Sequence, residues 1–198
     1  MFKRSDPPTP TNASSPSKSV MTILDQPLSR GKKEVSLSSF SFLFSEIVQY
    51  HQGRINTYPE LEQKLAETGQ NVGLRIYELC VFRDKNSKRE HKISTQLNFI
   101  TSVVWKTLYG KVADSLEKME EQYMIYESMP LESRYISLGR NVTNLHCSYF
   151  TAGVIKGVLQ AACFPATVTV AMTSNKEYTV FVVSFDRSVI ERELQINK

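Results

Sequence analysis

Three histidines (His51, His91, His146) and three cysteines (Cys80, Cys147, Cys163) are the side chains here best suited to shuttle protons at neutral pH, attack an electrophile or hold a soft metal. The histidines are scattered over separate stretches, and no Cys-x-x-Cys spacing suggests a metal site or a disulfide framework. The adjacent pair His146-Cys147 falls in a stretch with helical character, where neighbouring side chains point about 100° apart, so one cannot easily serve the other as base. A buried Cys beside a partly exposed His is expected. Glu117, Glu120 and Glu121 could mimic an acid/base pair, yet without a burial signal they read as a solvated face. No phosphate-cradling glycine loop, Gly-x-Ser-x-Gly elbow, His-Glu-x-x-His or EF-hand loop occurs in the sequence. The expectation is therefore a protein without catalytic residues, metal or other cofactor, acting by binding other proteins.

A second chemistry is electrostatic. Arg83, Lys85, Lys88, Arg89 and Lys92 crowd a polar stretch also holding Asp84 and Glu90. These cations could meet an acidic partner or an anionic membrane surface, at about 1 kcal/mol per close basic residue. A merely solvated loop is the plainer reading. The net charge of +4 is mild for 198 residues, and no dense Lys/Arg stripe with interleaved aromatics supports nucleic-acid binding.

The elements that carry these residues follow from spacing. Ser38 or Ser39 can cap a helix whose Phe40, Leu43, Phe44, Ile47 and Val48 form an apolar stripe, while Phe42 and Tyr50 lie off it. Apolar character on two sides implies a further cover, from a partner helix or from another segment of the same chain. Thr57-Tyr58-Pro59-Glu60 opens a second helix carrying Leu61 and Leu65, and Gly69 is placed to close it before a third begins near Asn71. Ser94 or Thr95 caps the next, with Leu97, Ile100, Val104 and Leu108 on one face and Phe99 and Val103 on another, until Gly110. In the stretch 112–126, Val112, Leu116, Met119 and Tyr123 have helical spacing, whereas Gln122 to Tyr126 has strand composition.

A helix is expected from Leu145 to about Ala162, with Gly153, Gly157 and Ala161 spaced four apart for close packing, ended by Pro165. Thr167 to Met172 and Tyr178 to Phe185 are β-rich runs at hairpin distance, and the second, apolar on both faces, should lie inside a sheet with layers on both sides. Helices first and strands last favour an α+β fold.

Hydrophobic residues at 41% and charged residues at 22% suit one globular unit. Five of the eight prolines fall in the first 27 residues among many Ser and Thr, so residues 1–33 are expected to be a disordered tail and 34–198 one domain. Met1 to Pro8 lacks the apolar run of a signal peptide, and the unpaired cysteines fit a reducing compartment. Tyr149 to Met172 is the most apolar long stretch, but Gly153, Gly157 and Pro165 interrupt it, so a buried helix and strand are expected there.

The run Gly69-Gln70-Asn71-Val72-Gly73-Leu74-Arg75, between two predicted helices, resembles the small-subunit family of the transport protein particle (TRAPP), a vesicle-tethering complex. Ala113-Asp114-Ser115-Leu116-Glu117, Glu121 to Ile125, and Tyr149 to Leu159 with Phe164-Pro165-Ala166 resemble further landmarks in family order, over about residues 38–187 and closest to the subunit-5 branch. The resemblance implies helices packed on one side of a twisted four-stranded antiparallel sheet, which makes 112–126 a strand-turn-strand. It implies pairing with other TRAPP small subunits through the first two helices, placing Phe42, Ile47, Tyr50, Leu61, Leu65 and Arg75 at a partner interface. It also implies a scaffold role in an assembly that promotes nucleotide exchange on a Rab-type GTPase, cytoplasmic and peripheral at the endoplasmic reticulum and cis-Golgi. A lipid- or acyl-chain-binding module is the competing reading. The acylated family member carries its cysteine just ahead of the helix that begins here near Ser94; the stretch 88–92 has none, so no palmitoylation is expected.

Overall fold

The computed structural model describes residues 35–84, 90–120, 122–136, 145–175 and 177–196. The expected tail lies outside these residues. Helix α1 spans Leu37–Gln52 and is preceded by Ser36, so Ser38 and Ser39 fall inside its first turn. Helix α2 runs unbroken over Tyr58–Arg83. The expected stop at Gly69 is therefore a correction, and its cause lies 81 residues away at Phe150 in helix α5 (Tyr149–Ala161). A Cβ on Gly69 would strike the Phe150 carbonyl, one on Gly73 the Val154 carbonyl and one on Gly157 the Gln70 carbonyl. A Cβ on Gly153 would strike the carbonyl of Ala66, and the one on Gly73 would also come within 3.0 Å of Gly157 Cα. Four glycines thus let two helix backbones touch along a shared seam, and helix continuation wins over the punctuation that glycine ordinarily supplies.

Helix α3 (Ile93–Phe99) passes through a π turn at Ile100–Val104 into helix α4 (Trp105–Tyr109), which Gly110 ends in the left-handed region at φ 75°. The residue flanking the start of α3 is Lys92, not Ser94 or Thr95, and the Thr95 hydroxyl donates back to the Lys92 carbonyl at 2.9 Å. In the π turn the Thr101 hydroxyl donates to the Leu97 carbonyl (3.1 Å) and Ser102 to that of Asn98, competition of the kind that loosens a helical ladder. The Thr101 carbonyl accepts the Ala113 amide at 3.0 Å, tying the widened turn to the chain entering the sheet.

The sheet holds four antiparallel strands in the order β1-β2-β4-β3: β1 Ser115–Met119, β2 Gln122–Glu127, β3 Ala166–Met172 and β4 Thr179–Phe185. Helical spacing at 112–126 gives way because Glu120, at φ 50°, turns the chain and Leu116 pairs with Ile125 while Ile125 pairs with Phe181. Tyr123, Ile125, Phe181, Val183 and Phe185 lie buried in one core with Ile155, Leu159 and Ile100. Opposite, Thr167, Thr169 and Ala171 are exposed and Val182 is half-buried. Strand β4 is interior, as expected, but among the described residues no second layer covers its other face. Helix α6 (Arg187–Ile196), which the spacing analysis did not anticipate, buries Val189 in the same core, and Glu193 Oε1 accepts the Ile93 amide at the start of α3 (3.1 Å).

One polar group is built into this core. Trp105 Nε1 donates to Glu127 Oε2 at 2.9 Å, Lys111 pairs with the same carboxylate, and the indole meets Phe181 edge-on at 5.9 Å. Replacing Gly73 by alanine should destabilise the chain by about 3 kcal/mol through overpacking at the seam. Urea denaturation checks this, and an unchanged midpoint would mean that α2 and α5 do not meet there.

Candidate partner interface

Helix α1 is seated by its inner face. Phe44 and Val48 are buried with Leu61, Leu65, Leu145 and Cys147, and Phe40, Ile47, Ile55, Ile136 and Phe150 pack around them. Phe44 stacks on Phe40 at 5.9 Å and meets Phe150 edge-on at 5.3 Å. His51 Nε2 lies 3.3 Å from Thr68 Oγ1, tying the end of α1 to α2. The outer face is also apolar: Phe42 is 77% exposed, Leu43 63% and Tyr50 53%. Positions 39, 42, 43, 46 and 50 share one stripe at 100° per residue. Leu43, expected on the inner stripe, belongs to this outer one, because the seat is only wide enough for Phe40, Phe44, Ile47 and Val48. The Arg54 guanidinium sits 3.6 Å from the Tyr50 ring centroid and donates to the Tyr50 carbonyl at 2.8 Å, which holds that ring in place.

The six residues expected at a partner interface separate into three groups. Phe42 and Tyr50 are exposed on α1, and Arg75 is exposed on α2 between Val72 and Phe82, both also exposed. Ile47 is half-buried in the seat of α1. Leu61 and Leu65 are a correction: they are buried in the chain's own core, where they support α1 from beneath and are out of reach of a partner. Of the basic stretch, Arg83 and Lys92 are exposed, while Lys85, Lys88 and Arg89 lie outside the described residues.

The nucleophile candidates are poorly placed for chemistry. Cys147 is buried, and burial, with Glu132 and Glu62 nearby, pushes its thiol up to about 11, away from thiolate character. The backbone amide of His146 donates to Glu62 Oε1 at 2.8 Å, fixing the entry to α5. Burial also raises the Cys80 thiol. Among the described residues, no group of three His, Cys, Asp or Glu side chains could hold a metal. Glu117 and Glu120 are exposed, and Glu121 lies outside the described residues.

Spacing arguments missed a buried carboxyl on the turn after β2. Glu132 is buried against the start of α5, where the Thr151 and Ser148 hydroxyls meet its carboxyl, and among the described residues its Oε1 has no hydrogen-bond partner. Burial, with Glu127 adding repulsion, lifts this carboxyl to about 7 against those hydroxyls. The Tyr109 hydroxyl, 2.7 Å from Thr151 Oγ1, is raised well above its ordinary value by the same burial. Two open clefts lie on the surface of the described residues. One, of about 380 Å³, is lined by Ser94, Asn98, Leu116, Lys118, Tyr123 and Glu193; the other, of about 330 Å³, lies between Glu62, Tyr149, Lys156 and Thr167.

Among the described residues no helix is long and apolar enough to cross a membrane. Residues 40–186 match the family model described as Transport protein particle (TRAPP) component. The chain is 46% identical over 183 residues to trafficking protein particle complex subunit 5 of Dictyostelium discoideum, covering 89% of this chain and 98% of that protein. Identity to the subunit 5 of Homo sapiens is 39% over 174 residues, covering 86% and 91% of the two chains. Subunit 31 of the Saccharomyces cerevisiae complex matches at 28% over 229 residues, covering 82% and 80%. A crystal structure of a trafficking protein particle complex subunit 3 from Naegleria fowleri, covalently bound to palmitic acid, shares the fold with a TM-score of 0.67 at 14% identity, over 76% of this chain and 95% of that one. With helices packed on a four-stranded antiparallel sheet, a family model matching most of the chain and relatives this similar along most of its length, the chain belongs to the TRAPP component family, in its subunit-5 branch.

Proposed function

We propose that this chain is a non-catalytic structural subunit of a multisubunit trafficking protein particle complex, docked to sister subunits through the outer faces of α1 and α2. The observation that carries this is the two-sided apolar character of α1, whose inner face seats Phe44 and Val48 while Phe42, Leu43 and Tyr50 stand in solvent. An exposed apolar stripe beside a seated inner face marks a surface that another protein covers. The names of the relatives support other subunits of such a complex as the cover. Within that reading the chain is a cytoplasmic, membrane-peripheral scaffold in vesicle tethering between endoplasmic reticulum and Golgi, holding together an assembly that exchanges nucleotide on a Rab-type GTPase. Arg83 and Lys92, flanking the remaining basic residues, would face an acidic partner or an anionic bilayer.

An acyl-binding role has less support. The space between helices and sheet is filled by Leu97, Ile100, Ile125, Ile155, Leu159 and Phe181, all fully buried. The cleft beside Ser94 has polar and charged residues in its wall. Intact-mass analysis of the chain purified from cells should accordingly show no acyl adduct on Cys80, Cys147 or Cys163.

Affinity purification of the tagged full chain from cells tests the docking face. Phe42→Glu with Tyr50→Glu should leave thermal unfolding of the isolated chain nearly unchanged, since both positions are exposed. The same pair should remove most co-purifying sister subunits, at about 2 kcal/mol or more for each anchor lost. Full recovery of those subunits with the double variant would refute this face as the docking site. By contrast, Leu65→Ala should destabilise the isolated chain by about 3 kcal/mol, as expected of a core residue.

A further inference from the structure

We propose that the Glu132 carboxyl is a proton-operated latch that pins the turn at 130–136 to the first turn of α5 and, through Ile136, steadies the seat of α1. The turn is held from both ends. Glu132 is buried against Ser148 and Thr151, and the Ser133 hydroxyl lies 3.2 Å from that of Ser148. Four positions on from Glu132, Ile136 packs on the cluster of Phe44, Val48, Leu61 and Leu65 that seats α1. The chain therefore runs from a buried acid directly into the support of the outer apolar face.

The surroundings favour the neutral acid. Across from Glu132 stands Glu127 of β2, itself buried, whose charge is taken up by Lys111 and by the Trp105 indole; Asp114 approaches the same lysine at 3.8 Å. Tyr109 of α4 reaches the site through Thr151, and Cys147 ahead of α5 faces both Glu132 and Glu62 of α2. Arg134 of the same turn is exposed, with its guanidinium toward Tyr135 at 5.7 Å. Among the described residues Glu132 has no cationic partner of its own. A protonated carboxyl can donate as well as accept among these hydroxyls, whereas an ionised one keeps a buried oxygen unpaired beside a second carboxylate. The backbone amide of Glu132 itself and the two hydroxyls act in the opposite sense, and burial outweighs them.

The sign of the pH dependence follows. The carboxyl titrates at about 7 when seated and at the ordinary glutamate value of 4.5 when released. Seating thus binds a proton across that window, and the latch is tightest below it. Its opening constant rises about tenfold per pH unit from roughly 5 to 7, and is level above that.

Two measurements on the full chain decide the matter. Carbon-13 NMR of glutamate-labelled protein, with the Glu132 carboxyl assigned by its loss in Glu132→Gln, should show a midpoint near neutrality. Hydrogen exchange read by mass spectrometry and corrected for intrinsic rates should show residues 130–136 and α1 losing protection about tenfold per unit between pH 5 and 7 in the wild type. Glu132→Gln should show no such slope. A midpoint in the ordinary carboxylate range overturns the latch, as does an equal slope in wild type and variant. Should Glu132→Gln fail to fold, Glu127→Gln supplies the NMR difference: removing the neighbouring charge should lower the Glu132 midpoint, and an unmoved midpoint also refutes the proposal.

Discussion

Backbone contact between α2 and α5 is the constraint on which the other elements depend. Two helices packed through ordinary side chains stay 8–10 Å apart or so. The four glycines at 69, 73, 153 and 157 remove the side chains that would hold them there. The closeness explains why α5 is buried on nearly every side: its outer turns meet α2 while Ile155, Val158 and Leu159 reach the sheet core. Once α5 is held in that position, β3 follows within a few residues of its end, and β4 pairs back between β3 and β2. The seam also fixes the base on which α1 rests, because Leu61 and Leu65 lie along the same helix as Gly69 and Gly73.

A polar knot organises the other end of the core. Trp105, the single tryptophan of the sequence, directs its indole N–H to Glu127 at the end of β2, and Lys111 closes on the same carboxylate. A carboxylate buried this deeply is tolerated because both a charge and a directed donor meet it. Glu132, five residues on, is met among the described residues by hydroxyls and its own backbone amide, and the difference between the two acids is a difference in what surrounds them rather than in depth.

Much of this was legible from local pattern. The inner stripe of α1, the stop at Gly110 and the strands β3 and β4 follow from side-chain period and turn residues. The hairpin of β1 and β2 was not legible in this way: Val112, Leu116, Met119 and Tyr123 keep a helical period, and only the family resemblance replaced it with strands. What local reading misplaced had distant causes. Gly69 looks like a helix end until Phe150 is seen against it, and Leu61 and Leu65, which the family resemblance put at an interface, are covered instead by α1. Glu132, in a Pro-Leu-Glu-Ser-Arg run, has the composition of a solvated loop, and nothing in its neighbours along the chain announces Thr151 or Tyr109.

The π turn at Ile100–Val104 bears on how this segment tolerates change in length. Such a turn is equivalent to one residue inserted into an α-helix and absorbed without breaking it. Deleting a residue there would restore the regular ladder, yet it would rotate Trp105 by about 100° relative to α3 and withdraw the indole from Glu127. The Thr101 carbonyl that receives Ala113 would move with it, and the hairpin would lose its anchor. Individual side chains between Ile93 and Gly110 can therefore vary under ordinary packing rules, whereas the number of residues between them is held fixed by the register of helix against sheet.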